Sequence, residues 1–167
     1  SFDHVLCKGE IVYDATGALA HKLADLPASW RARSQAISCS EIACQRFCQR
    51  HVLDKVRYRL ESGPLLCEFL LTTNVYWLVQ SYFHVGGRPY PGDRSALEWL
   101  AQHEPSIHDL VARIYAARGL AEKLALSELL TAQVLAPVGG AWELDEVLCL
   151  GLPGHTSDLQ IQGQTLY

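Results

Sequence analysis

Apolar and polar positions along this chain follow a helical period almost everywhere outside its two ends. The longest such signal is the stretch 65–85, LLCEFLLTTNVYWLVQSYFHV, whose only formal charge is Glu68. Within it Leu66, Phe69, Leu70, Thr73, Trp77 and Phe83 recur at mostly helical spacing. A helix apolar around most of its circumference either crosses a membrane or sits at the centre of a bundle. Thr72, Thr73, Asn74, Gln80 and His84 are too polar for a span, which predicts a buried central helix. It should start at Pro64, where the missing N–H of proline costs nothing, and stop at Gly86-Gly87. On this reading Phe69 belongs to the core.

Flanking patterns supply the other elements. Ser29 is a candidate N-cap for a long helix reaching Ser62, with Ile37, Ile42, Phe47, Val52, Val56 and Leu60 as its stripe. A break is expected around Ser38–Ser40, where serines compete for backbone hydrogen bonds. After the loop GGRPYPGDR, Ser95 to His103 forms a short helix ended by Glu104-Pro105. Ser106, with Asp109 three residues later, reads as the cap of the next helix, which Gly119 ends. Leu120 to Val138 is the last, stopped by Pro137 and Gly139-Gly140. At the N-terminus, residues 4–13 end in the β-type run Ile11-Val12-Tyr13. Asp14-Ala15-Thr16-Gly17 is a turn signal, and Ala18 to Leu26 a short helix. Residues 141–150 read as a strand or one more helical turn. The polar tail after Gly151 has a short strand signal at Leu159–Ile161.

The expected architecture is therefore mainly α: an up-and-down bundle of about five helices behind a short N-terminal strand-turn segment. It divides into a strand-turn-helix remnant over 1–27, the bundle over 28–150 and an extended tail over 151–167.

With 167 residues, nearly half of them apolar, one domain with a sizeable core is expected. The formal net charge of −4 argues against a nucleic-acid partner, because neutralising phosphates needs a basic surface. Arg31, Arg33, Arg46, Arg50, Lys55, Arg57 and Arg59 do cluster, as charges on a solvated helix face commonly do. Glu143, Asp145 and Glu146 read likewise as solvated charges. The six cysteines form no CxxC pair, and with no signal peptide in view a reducing cytoplasm is the expected compartment. The chain has no methionine, which suggests a fragment, a processed chain, or one lacking upstream residues.

Chemistry-bearing motifs are sparse. The chain has no Walker loop, no GxGxxG, no GxSxG and no HExxH. Cys44 and Cys48 lie one turn apart with His51 beyond, but this spacing matches no standard zinc pattern. Arg46 and His51 have the Arg-x4-His spacing of the ribonuclease members of the HEPN superfamily of helical bundles. In one regular helix these two side chains lie about 140° apart, so they could meet on a phosphate only across a symmetric partner. The expectation is that Arg46 is a solvated charge, that His51 is a partly buried, hydrogen-bonded neutral imidazole, and that neither cleaves RNA.

A wider resemblance covers residues 4 to 136. VLCKGEIVYDATGALAHKL resembles the segment following the catalytic sheet in kanamycin-nucleotidyltransferase-like proteins. SGPLLCEFLLTTNVYWLVQSYFHVGGRPYPGDRSALEWL is similar to their C-terminal helical domain, where a buried helix ends in a Tyr-Pro loop and a positive residue, here Arg94, opens the next helix. The resemblance implies a substrate-binding and dimerising domain, with Tyr76, Arg88, Tyr90 and Arg94 as substrate-contacting residues and the aromatics Trp77 and Tyr82 as further cleft candidates. The family's Gly-Ser helix start and metal-binding aspartate pair are absent. The chain alone is thus expected to bind no metal or cofactor and to transfer no nucleotide; magnesium and ATP enter only with a missing catalytic domain. The general-base glutamate of that helical domain has Glu41 as its only early counterpart. The implied partners are a small-molecule substrate and a second copy of the chain, with no membrane. The alternatives are a non-enzymatic helical interaction module and a ribonuclease using Arg46 and His51.

Overall fold

The computed structural model describes residues 10–24 and 37–146. A helical bundle occupies most of this range, and the local chemistry of each boundary is plain. Helix α1 (Cys39–Arg57) begins at Ser38, whose Oγ accepts from Glu41 N at 3.2 Å while the Glu41 carboxylate accepts from Ser38 N at 2.9 Å. This reciprocal capping box turns the expected break at Ser38–Ser40 into the true start of the helix. The proposed cap at Ser29 lies outside the described residues. The helix ends at Arg57, short of Ser62.

Helix α2 (Pro64–Val85) has the expected bounds. Gly87 takes a left-handed φ of 64°, and the N–H groups of Gly87 and Arg88 donate to the carbonyls of His84 and Phe83 at 2.9 and 2.8 Å. That is a Schellman closure. Helix α3 spans Asp93–His103 and α4 spans Pro105–Ala116. Pro105, not Ser106, opens α4, and no side chain caps it. Helix α5 (Leu120–Leu135) passes into a 3₁₀ turn over Ala136–Val138. Gly139 and Gly140, both with φ near +90°, then reverse the chain over α1. Residues 18–24 are helical; residues 10–13, the described end of the β-type run, are not a strand, and no strand occurs among the described residues. Residues 141–146 are neither strand nor helix, and the tail after Gly151 lies outside the described residues.

Helix α5 packs against α1, α2 and α4, and α3 against α4. The main core joins Val75, Leu78, Val79 and Phe83 of α2 to Leu100, Leu110, Ile114, Leu126, Leu130 and Val134. A smaller one, at the closed end of the α1–α2 hairpin, joins Leu53 and Val56 to Cys67, Leu71 and Leu124. No residue of α1 before Leu53 belongs to either cluster.

The phase of α2 differs from expectation. Its inward face carries Cys67, Leu71, Asn74, Val75, Leu78 and Val79. Most of the stripe read from the sequence faces out: Phe69 is 65% exposed, Trp77 54%, and Leu66 and Thr73 are exposed as well. Leu65, at 83%, and Tyr76 complete that face. No described helix is long and apolar enough to cross a membrane.

Candidate functional site

Three places gather the residues of interest: the outer side of α1 with the chain that returns over it, a groove between α1 and α2, and a cleft between α2, α3 and α4.

Arg46 organises the first. Its side chain is only 13% exposed, contrary to the expectation of a solvated charge. Nε donates to Gly140 O at 2.7 Å, and the two terminal nitrogens grip the Glu146 carboxylate, each at 2.6 Å. Nη2 also reaches the carbonyls of Gly139 and Ala141 at 3.3 Å, and the guanidinium lies 5.5 Å from the centre of the Trp142 ring. A planar fork with several donors suits a carboxylate and successive carbonyls in this way. Glu146 is therefore not a free surface charge; Arg46 holds its carboxyl below the ordinary value, helped by the Glu143 N–H. Arg50 adds a contact to the Trp142 carbonyl at 3.4 Å and pairs with Asp54. The polar staple holds the N-terminal half of α1 where the apolar core does not reach.

His51 lies on a different side of α1. It is exposed, stacked on Phe47 with centroids 5.9 Å apart, and Phe47 meets Trp142 edge-on. It makes no hydrogen bond among the described residues, which corrects the expected partly buried, hydrogen-bonded imidazole. Desolvation first, then the Lys55 charge, lowers its pKa from 6.5. Arg46 and His51 thus share an aromatic neighbourhood, but the guanidinium is committed to Glu146 and three carbonyls. Glu41 is the partner of Ser38, whose hydrogen bonds lower its pKa, in the capping box.

The groove lies where α1 and α2 diverge and has a volume of about 1110 Å³. Helix α1 contributes Glu41, Cys44, Gln45, Cys48, Gln49 and Val52, all on one face; α2 contributes Asn74, Trp77, Gln80, Ser81 and His84. Gln45 Oε1, Gln49 Oε1 and Asn74 Nδ2 are buried without a hydrogen-bond partner among the described residues. Burial raises the Cys48 thiol pKa, and the neighbouring Cys44 adds to this. His84 is held below its usual pKa by burial, opposed by Glu41. Cys39, Cys44, Cys48 and Cys67 are free thiols, and among the described residues no three His, Cys, Asp or Glu side chains are placed to hold a metal ion.

The cleft is smaller, about 270 Å³, and brings together two of the four residues expected to contact substrate. Tyr76 and Tyr90 line it with Tyr115, Asp93 and His108 over an apolar floor. The Tyr90 hydroxyl donates to Asp93 at 2.7 Å; burial first, then this contact, raises its pKa. Arg88 and Arg94 do not join them. The Arg88 guanidinium lies over Trp99, 4.7 Å from the ring centre, and Arg94 pairs with Glu98 in open solvent, its side chain 92% exposed. Tyr82 donates to Glu104 at 2.9 Å.

Sequence reasoning missed the three unpartnered amides. A signal existed: Gln45 and Gln49 share a face of α1 with Glu41 and Val52, and Asn74 interrupts an apolar run. Comparison of the chain with family models, curated proteins and solved structures returned no match.

Proposed function

We propose that this chain is a helical binding and dimerisation module, not itself a catalyst, which pairs with a second copy through the outward face of α2. The observation that carries this reading is that face. Leu65, Leu66, Phe69, Tyr76 and Trp77, all exposed, fall within about 120° of arc on one helix. Contiguous apolar exposure of this kind marks an interaction surface. Thr73, Gln80 and His84 fill the rest of the arc, so no carboxylate, lysine or arginine lies on it. A twofold axis sets a patch against itself, which repels when the patch is charged and is favourable when it is apolar.

The resemblance to the helical domain of kanamycin-nucleotidyltransferase-like proteins suggests one setting for such a module, in which the Tyr76–Tyr90 cleft takes a small-molecule substrate. The two tyrosines sharing a cleft supports that assignment, and the separation of Arg88 and Arg94 from it weighs against a charged clamp there. A ribonuclease would need Arg46 on a phosphate, and the contacts of its guanidinium with Glu146 and three carbonyls disfavour that reading.

Sedimentation equilibrium tests the module. The wild type should show a dimer whose dissociation constant rises at least about tenfold, or 1.4 kcal/mol, in Phe69→Glu. A monomer at every concentration, or equal association of both proteins, would sink the proposal.

A further inference from the structure

The floor of the α1–α2 groove is built in a way that stability alone does not explain. Gln49 and Asn74 are 5% and 3% exposed, yet Gln49 Oε1 and Asn74 Nδ2 have no hydrogen-bond partner among the described residues, and Gln45 Oε1, one turn along α1, is in the same condition. An unpaired buried amide retains the full cost of leaving water, whereas an apolar side chain of the same shape would not. Three such amides, all on residues that line one groove, point to a polar edge as the groove's complement. From this we infer that the groove binds a neutral small molecule carrying an aromatic ring and a carboxamide-type edge.

Each part of that description follows from the lining. As placed, the unpaired atoms are two acceptors and one donor, and exchanging the O and N of one glutamine gives one acceptor and two donors. A ligand edge with both an N–H and a C=O satisfies either assignment. The terminal amide torsions are soft, so small rotations turn these atoms toward the groove. Trp77, half exposed at the rim, offers a ring face, and Ile37 and Val52 supply apolar wall. The ligand is uncharged: the lining has no lysine or arginine to balance an anion, and its one carboxylate, Glu41, is already engaged by the Ser38 N–H and hydroxyl. The groove volume of about 1110 Å³ leaves ample room for a small molecule.

The groove shares Trp77, Gln80 and His84 with the outward face of α2, so the inference is read at the inward-facing amides Gln49 and Asn74, which that face does not include. The probes are N-acetylphenylalaninamide and its acid, N-acetylphenylalanine, titrated into the full chain while the side-chain NH₂ resonances of Gln49 and Asn74 are followed by NMR. The amide should shift both resonances, with the acid at least about tenfold weaker. Asn74→Leu, which replaces an unpaired amide by an apolar isostere, should weaken the amide probe at least about tenfold with Tm unchanged or raised. Equal binding of acid and amide, or no shift at either side chain, would overturn the inference. So would a fall of more than about 5 °C in Tm for Asn74→Leu, since that is the mark of an amide already satisfied in the free protein.

Discussion

The two ends of the α1–α2 hairpin are held by different physics. At the closed end Leu53 and Val56 pack on Cys67, Leu71 and Leu124, and α2 continues into the main core with α3, α4 and α5. At the open end no α1 residue before Leu53 enters a core cluster, and Arg46 secures that half by gripping Glu146 and the carbonyls of the returning chain. A dry core fills all the space between its elements. A polar staple fixes one side of a helix and leaves the other side free. The groove lies on that free side, so the open end can carry a site that a fully apolar hairpin would have closed.

The largest effect should come from the core. Leu130 is fully buried, and Leu130→Ala should cost about 2–5 kcal/mol of unfolding free energy in urea titration. A loss below about 1 kcal/mol would mean that the packing between α5 and α2 is not what holds the bundle.

Arg46→Ala should cost less, about 2 kcal/mol, from hydrogen bonds to a charged group. Its distinguishing mark is location. Amide hydrogen exchange should rise in the N-terminal half of α1 while α4 and α5 keep their protection. Arg46→Lys should restore only part of it, because an ammonium cannot reproduce the fork. Uniform loss of protection would erase the distinction between the two ends.

A smaller effect should follow pH. The folded-state pKa of Glu146 is depressed, chiefly by Arg46, below its ordinary 4.5. A depressed carboxyl contributes stability that is fully present above the unfolded value and is lost as pH falls through the folded one. The fluorescence of Trp142 should therefore change below about pH 4.5 in the wild type. With the other three tryptophans replaced by phenylalanine to isolate that signal, Glu146→Gln should lack the transition.

The smallest effect separates the two faces of α2. Phe69→Ala, measured on dilute monomer, should change stability by under about 0.5 kcal/mol. A cost near that of Leu130→Ala would return Phe69 to the core, as its periodicity first suggests.

Much of the fold can be read from local chemistry. Pro64 and the Gly86-Gly87 pair mark α2 because a proline start and a left-handed glycine stop are settled within a few residues. The Ser38–Glu41 capping box is equally local, although Ser38–Ser40 also reads as a mere break. The facing of α2 is not legible in the same way. Apolar residues surround that helix, so periodicity has no contrast from which to set a phase; only contact with α1 and α5 decides that Leu71 points in and Phe69 out. Arg46 is illegible for a different reason: its partner Glu146 lies a hundred positions away, and from sequence each looks like a solvated charge. For the candidate sites, Tyr76 and Tyr90 came from the resemblance, and their shared cleft depends on how α3 and α4 pack beside α2. The unpartnered amides depend on how α1 diverges from α2, which no single segment encodes.

The reading of α2 as a surface shared by two copies has its most direct test in an isotope-filtered NOE experiment on mixed labelled and unlabelled chains. Contacts between the side chains of Leu65, Leu66 and Phe69 of one copy and the same face of the other are the predicted result. An absence of intermolecular contacts at these residues, or contacts arising only from another face, would contradict it.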